Sequence, residues 1–217
     1  MFTKRILPAF ILTVPFVILA MLFLDQELAY FFSLPAQEPI YRFAKATTDI
    51  ALAEFYFALA FGVFVLVKFL QWGYKGNEAL VVDRLVFFHR WSINYFVALI
   101  TSGVLVHLFK NMFGRQRPHL SENFEPYVFS PFNFHWDWHS FPSGHSQVMF
   151  TSATMLSIAF PKLRVLWFTA ASAIAFTRVL VQYHFVSDVI AGAFVGYAGA
   201  HLGIYLLRKT KVTLFQH

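Results

Sequence analysis

The feature that most limits the fold is a series of apolar runs, each long enough or nearly so to cross the ~30 Å hydrocarbon core of a bilayer as a helix. They extend from Ile6 to Leu24, Ala51 to Leu70, Phe87 to Phe109, Gln147 to Phe160 with its flanks, Val165 to Leu180, and Val186 to Leu207. The 58% hydrophobic and 13% charged composition agrees with a membrane protein. The expected fold class is all-α: a six-transmembrane-helix bundle formed by one membrane-embedded domain over residues 1–217. No fixed-period repeat, low-complexity tract or linker divides it. The first run follows Lys4 and Arg5 in the manner of a signal peptide, but its removal would leave everything downstream in place.

The basic residues orient the bundle. With both termini cytoplasmic, the inner segments hold Lys4, Arg5, Lys68, Lys75, Arg84, Arg90, Lys162, Arg164, Arg208, Lys209 and Lys211, which is 11 of the 17 lysines and arginines. The net charge of +6 is thereby assigned to cytoplasmic loops, and nucleic acid is not an expected partner. The absence of cysteine excludes thiol nucleophiles and thiolate metal sites. Two outer loops follow from this topology. Residues 25–49 mix Phe31, Phe32, Pro35, Pro39 and Tyr41, as an anchoring segment along the interface does. Residues 111–141 are crowded with aromatics and histidines, as suits a loop that dips into headgroups or covers a lipid.

Three clusters stand at the outer ends of the expected helices: Lys110 to Pro118, Pro142 to His145, and Thr177 to Asp188. Charges at membrane depth cost several kcal/mol unless paired or functional, and a bound phosphate accounts for this set. Lys110, Arg117 and Arg178 can neutralise a phosphoryl group and the charge that grows on its oxygens in the transition state. On an unbroken helix Lys110 and Arg117 would stand ~10.5 Å apart along the axis, so either their side chains converge or the helix unwinds near Gly114. Ser143 can cap a helix whose first N–H groups, at Gly144 and beyond, point at an anion. His145 is placed to protonate a leaving oxygen. His184 and Asp188, four residues apart, share a helical face, so Asp188 can fix the ring's tautomer and leave the other nitrogen free to attack phosphorus.

Together the clusters resemble the three-part signature of the type 2 phosphatidic acid phosphatase family, lipid phosphate phosphatases that share an active-site plan with vanadium haloperoxidases. Lys110 to Pro118 matches its Lys, six residues, Arg-Pro element, Pro142 to His145 its Pro-Ser-Gly-His element, and Thr177 to Asp188 the third, with Thr177 where serine is usual. The motif region is 110–188, and three elements in order are far more specific than one. The resemblance implies that His184 forms a phosphohistidine, that Asp188 supports it and that His145 protonates the leaving group. It further implies that Lys110, Arg117, Ser143, Gly144 and Arg178 hold the phosphoryl oxygens, with no metal and no cofactor. The implied partners are the bilayer and a lipid phosphate of the bacterial envelope, such as phosphatidylglycerol phosphate, undecaprenyl pyrophosphate or lipid A. The implied location is the bacterial inner membrane, with the site facing the periplasm or exterior.

The remaining candidates have plainer explanations. His107 and His201 read as packing residues, and Trp136 and Trp138 as interfacial belt residues. Arg115 reads as a contact to an anionic headgroup or a snorkelling side chain. His119, His135 and His139 with Asp137 match no rigid metal-ligand spacing. Two other functions use the same residues: a phosphotransferase in which a second lipid intercepts the phosphohistidine, and a lipid-binding or transport protein that uses the cations for recognition alone. Charges gathered on one face, away from the midplane, disfavour the transporter, and the membrane-embedded chain disfavours a haloperoxidase.

Overall fold

A computed structural model describes residues 2–76 and 78–209, and the side chains of residues 2–5 and 36 are not among the described features. Lys211, counted above for orientation, lies outside the described residues. The described chain is helical, with no strand beyond an isolated bridge between Arg115 and Phe129. In chain order the helices are α1 (Phe2–Phe23), α2 (Asp25–Ser33), α3 (Glu38–Thr48), α4 (Ala53–Gly73), α5 (Ala79–Phe113), α6 (Gly144–Ala159), α7 (Arg164–Leu180) and α8 (Val186–Lys209).

Among the described residues, five stretches are long and apolar enough to cross a membrane, and they fall on α1, α3 with α4, α5, α7 and α8. The expected fourth crossing forms as α6, but its 16 residues reach only about 24 Å at 1.5 Å per residue. Its composition explains the difference. α6 packs against α5, α7 and α8 and buries Ser146, Gln147, Thr151, Ser152, Thr154 and Ser157, so most of its surface meets protein in place of lipid. Three of those polar groups pair with α5: Gln147 Nε2 donates to Ser102 Oγ at 2.6 Å, Thr151 Oγ1 to Ser102 Oγ at 2.9 Å, and Tyr95 OH to Ser152 Oγ at 2.7 Å, while Thr154 and Ser157 donate to carbonyls within α6.

α1 and α4 flank the bundle, against α8 and α5 respectively. Their exposed faces carry Phe10, Ile11, Leu12, Phe16, Phe55 and Phe61, an apolar surface suited to lipid. Glycine brings α8 close to the centre. A Cβ on Gly192 would lie 2.3 Å from the Ser143 carbonyl oxygen, and one on Gly196 would lie 2.3 Å from that of Gln147. Such approach is open to small residues alone. The topology places the C-terminal ends of α5 and α7 and the N-terminal ends of α6 and α8 at one end of the bundle, together with α2 and α3.

Candidate active site

α5 ends at a left-handed glycine. Gly114 has φ +58°, its N–H closes on the Lys110 carbonyl at 2.9 Å, and a Cβ would stand 1.8 Å from the Ser130 carbonyl oxygen. The helix therefore stops between Lys110 and Arg117, and extended backbone at Arg117 carries its side chain back across the bundle end. Lys110, buried in the last turn of α5, donates from Nζ to the His139 carbonyl, and its Cε lies 3.8 Å from where a Gly144 Cβ would be.

Arg117 is buried and donates from Nε to the Trp136 carbonyl and from Nη1 to the Tyr183 carbonyl, both at 3.2 Å. The Trp136 ring centroid lies 4.2 Å from its guanidinium carbon. Trp136, read above as a belt residue, is thus a wall of the site. Burial pulls the Arg117 pKa down to about 10, against the charge of Asp188, which leaves the side chain cationic at neutral pH. Arg178, also buried, donates from Nη1 to Thr48 Oγ1 at 2.9 Å and lies 4.7 Å from the Tyr183 ring centroid, while its Nε has no hydrogen-bond partner. A buried, unsatisfied guanidinium N–H is costly, and an anionic oxygen is its natural partner.

Ser143 caps α6 by accepting from the Ser146 N–H at 3.4 Å, and its own N–H donates to the Asp188 carbonyl at 2.9 Å. That bond ties the start of α6 to the first turn of α8. Gly144 opens α6 and the half-buried His145 follows it. Lys110, Arg117 and Arg178 lie within electrostatic reach of both His145 and His184.

His184 sits in the turn between α7 and α8. Gln182 adopts φ +58°, and the His184 N–H returns to the Arg178 carbonyl at 3.2 Å, which swings the imidazole into the bundle. Its Nδ1 meets the Ser140 carbonyl at 2.7 Å. A carbonyl can only accept, so Nδ1 carries the hydrogen and Nε2 keeps its lone pair. Burial first, and then the nearby cations, hold the imidazole well below its ordinary pKa, against the pull of Asp188. The ring is neutral, as a nucleophile requires.

The Asp188 contact differs from the simplest expectation. Its Oδ2 stands 3.7 Å from His184 Nδ1, beyond a hydrogen bond, and instead accepts from Ser140 Oγ at 2.6 Å and from the Phe185 N–H at 2.8 Å. Asp188 thus acts largely through Ser140, which the sequence reading did not single out. Arg115 differs further. It is fully buried, with Nη1 on Asp188 Oδ1 at 2.5 Å and Nη2 on Asp25 Oδ2 at 2.8 Å, so it neither snorkels nor faces a headgroup.

The segment expected to lie along the interface also contributes to the site. α2 supplies Asp25, and α3 supplies Thr48, which meets Arg178 and accepts from Thr177 Oγ1 at 3.1 Å. The loop histidines disperse onto separate partners: His119 Nδ1 on the Gln182 carbonyl, His135 Nδ1 on Asp137, and His139 Nε2 on the Asn133 carbonyl.

Residues 91–211 match the family model of the PAP2 superfamily. The lipid A 1-phosphatase of Rhizobium etli is 39% identical over 125 residues, covering 57% of this chain and 54% of that protein. The lipid A 1-phosphatase of Rhizobium johnstonii is 34% identical over 125 residues, covering 57% and 51%. The chain therefore spans about half the length of these curated relatives. Among solved structures, LpxE of Aquifex aeolicus superposes with a TM-score of 0.56 at 23% identity, covering 84% of this chain and 95% of that one. A PAP2-type phosphatidylglycerolphosphate phosphatase from Bacillus subtilis superposes with a TM-score of 0.53 at 18% identity, covering 96% and 98%. Both likenesses are of fold.

Proposed function

We propose that this chain, which belongs to the PAP2 superfamily, is an integral membrane phosphatase that removes the 1-phosphate of lipid A through a phosphohistidine on His184. The observation that carries the chemistry is the bond from His184 Nδ1 to the Ser140 carbonyl, which leaves Nε2 unprotonated on a ring within electrostatic reach of Lys110, Arg117 and Arg178. In this reading Nε2 attacks phosphorus in line with the ester oxygen, the phosphorus–oxygen bond to the sugar breaks, and the departing oxygen takes a proton from His145. The arriving phosphate brings the negative charge that lets the His145 imidazole carry that proton among the cations. The positive charge left on His184 is balanced by Asp188. Lys110, Arg117, Arg178 and the first N–H groups of α6 after Ser143 and Gly144 hold the remaining oxygens. Water, deprotonated by His145, then attacks the phosphohistidine and releases phosphate.

The same proposal includes six crossings, with α6 as the short inner one, both termini cytoplasmic, and the site at the outer face of a bacterial inner membrane. The distribution of lysine and arginine supports that orientation. The two lipid A 1-phosphatases support the substrate among the envelope lipids considered.

The test is turnover on a panel. Purified protein in detergent with excess EDTA should release phosphate from lipid A faster than from phosphatidylglycerol phosphate or undecaprenyl pyrophosphate, and vanadate should inhibit it. A preference for another lipid in the panel would overturn the substrate, and activity that requires a metal would overturn the mechanism. Appearance of a phosphorylated acceptor lipid in place of free phosphate would make the chain a phosphotransferase.

A further inference from the structure

Asp25 comes from the first turn of α2, outside the residues that match the family model. It is nonetheless 1% exposed and held entirely by donors: Ser187 N–H to Oδ1 at 2.9 Å, Ser187 Oγ to Oδ2 at 2.5 Å and Arg115 Nη2 to Oδ2 at 2.8 Å. Arg115 spreads over four acceptors, adding the Pro126 carbonyl at 2.9 Å, Ser187 Oγ at 2.7 Å and Asp188 Oδ1 at 2.5 Å, and its guanidinium lies 4.2 Å from the Phe185 ring centroid. Its planar fork sets a separate nitrogen against each of two carboxylates, a spread that the single nitrogen of a lysine does not reproduce.

These contacts form a chain that ends at the reacting ring. Asp25 orients Arg115, Arg115 fixes one oxygen of Asp188, the other oxygen holds the Ser140 hydroxyl, and the Ser140 carbonyl takes the Nδ1 hydrogen of His184. We propose that Asp25 and Arg115 are positioning residues, a clamp that holds Asp188 and Ser140 so that His184 Nε2 stays aimed at phosphorus. The N-terminal third of the chain is then part of the catalytic unit. This inference rests on His184 being the nucleophile.

Charge makes the clamp testable, because its two members act on His184 with opposite sign. The charged groups around that ring are Lys110 of α5, Arg117 of the following loop, Arg178 of α7 and Asp188 of α8, with Arg115 and Asp25 behind Asp188. Neutralising Asp25 leaves more of the Arg115 charge on Asp188 and disfavours a proton on His184. Neutralising Arg115 frees Asp188 and favours one. A role in folding alone predicts no such opposition.

The experiment measures kcat, KM and the acid limb of kcat/KM on one lipid phosphate for four variants, each first shown to elute as a monodisperse peak in detergent. The ionisation of the substrate is common to all, so differences between limbs report the protein. Asp25→Asn should lower kcat roughly tenfold or more with KM little changed, and move the acid limb to lower pH. Arg115→Gln should lower kcat similarly and move the limb to higher pH. Arg115→Lys keeps the charge but loses the bridge, so kcat should fall with the limb unmoved. Wild-type kcat in Asp25→Asn or Arg115→Lys, or limbs that move in the same direction in Asp25→Asn and Arg115→Gln, would overturn the clamp while the phosphatase reading stands. His184→Ala separates the two ideas, since turnover in that variant removes the nucleophile itself and the clamp with it.

Discussion

His184 is where the chemistry and the stability of the molecule meet. Buried among cations, it resists protonation well below the ordinary histidine value of 6.5, whereas the unfolded chain takes up that proton freely. As pH falls below 6.5 the unfolded state therefore binds protons that the fold refuses, and stability is lost at up to about 1.4 kcal/mol per pH unit for this group. Asp25 acts in the opposite direction. Burial raises its carboxyl, so its contribution is present at low pH and is lost as pH rises through the carboxylate range. The histidine effect is thus best read just below pH 6.5, where thermal unfolding in detergent should weaken between pH 7.5 and 5.5 in the wild type and weaken less in His184→Gln. Equal slopes would contradict the buried, neutral imidazole. At this scale the sequence was most informative about the residues proposed to carry the chemistry, which stand in fixed spacing: Lys110, Arg117, Ser143, His145, Arg178, His184 and Asp188. It said little about residues that act through others. Ser140 meets the ring through a carbonyl, which any residue type has, its hydroxyl meets Asp188 across 48 positions of chain, and Asp25 meets Ser187 across 162.

The helices position those residues by ending at chosen points and by packing closely. Gly114 stops α5 after Lys110, and Gly192 lets the first turns of α8 press against the start of α6. Alanine at Gly192 must push on the Ser143 carbonyl, 2.3 Å from the new methyl group. Gly192→Ala should destabilise the fold by about 1–3 kcal/mol and reduce turnover, because the cap of α6 and the Ser143 to Asp188 bond both move. Gly62, whose Cβ position has nothing within 4 Å, is the matched control, and Gly62→Ala should leave unfolding temperature and turnover unreduced. Equal behaviour of the two variants would show that the α6–α8 contact does not position the site. Element by element, apolar run length predicted α1, α4, α5, α7 and α8 within a few residues at most ends. It missed the start of α5, since Asp83 and Arg84 interrupt hydropathy without interrupting the helix, which begins at Ala79. It rendered α6 ambiguous because a helix surrounded by protein is free to be short and rich in Ser and Thr.

The whole molecule gathers its chemistry at one end, and the bundle's orientation decides which compartment that end meets. The cysteine-free sequence is a ready background for mapping it. A single cysteine at the exposed Phe134, in the loop beside the site, should react in intact cells with a membrane-impermeant maleimide, and one at the exposed Lys75, between α4 and α5, should react only after the membrane is opened. The reverse pattern would turn the site toward the cytoplasm. If His184 carries the phosphoryl group, rapid quenching in base of enzyme mixed with lipid labelled in its terminal phosphate traps it there. A phosphohistidine at position 184 gives an alkali-stable, acid-labile label that maps to the peptide containing His184, accumulates in His145→Ala if hydrolysis is slowed more than transfer, and is missing from His184→Ala. Turnover by the wild type with no protein-bound label at any quench time, or a label that persists in His184→Ala, would contradict it.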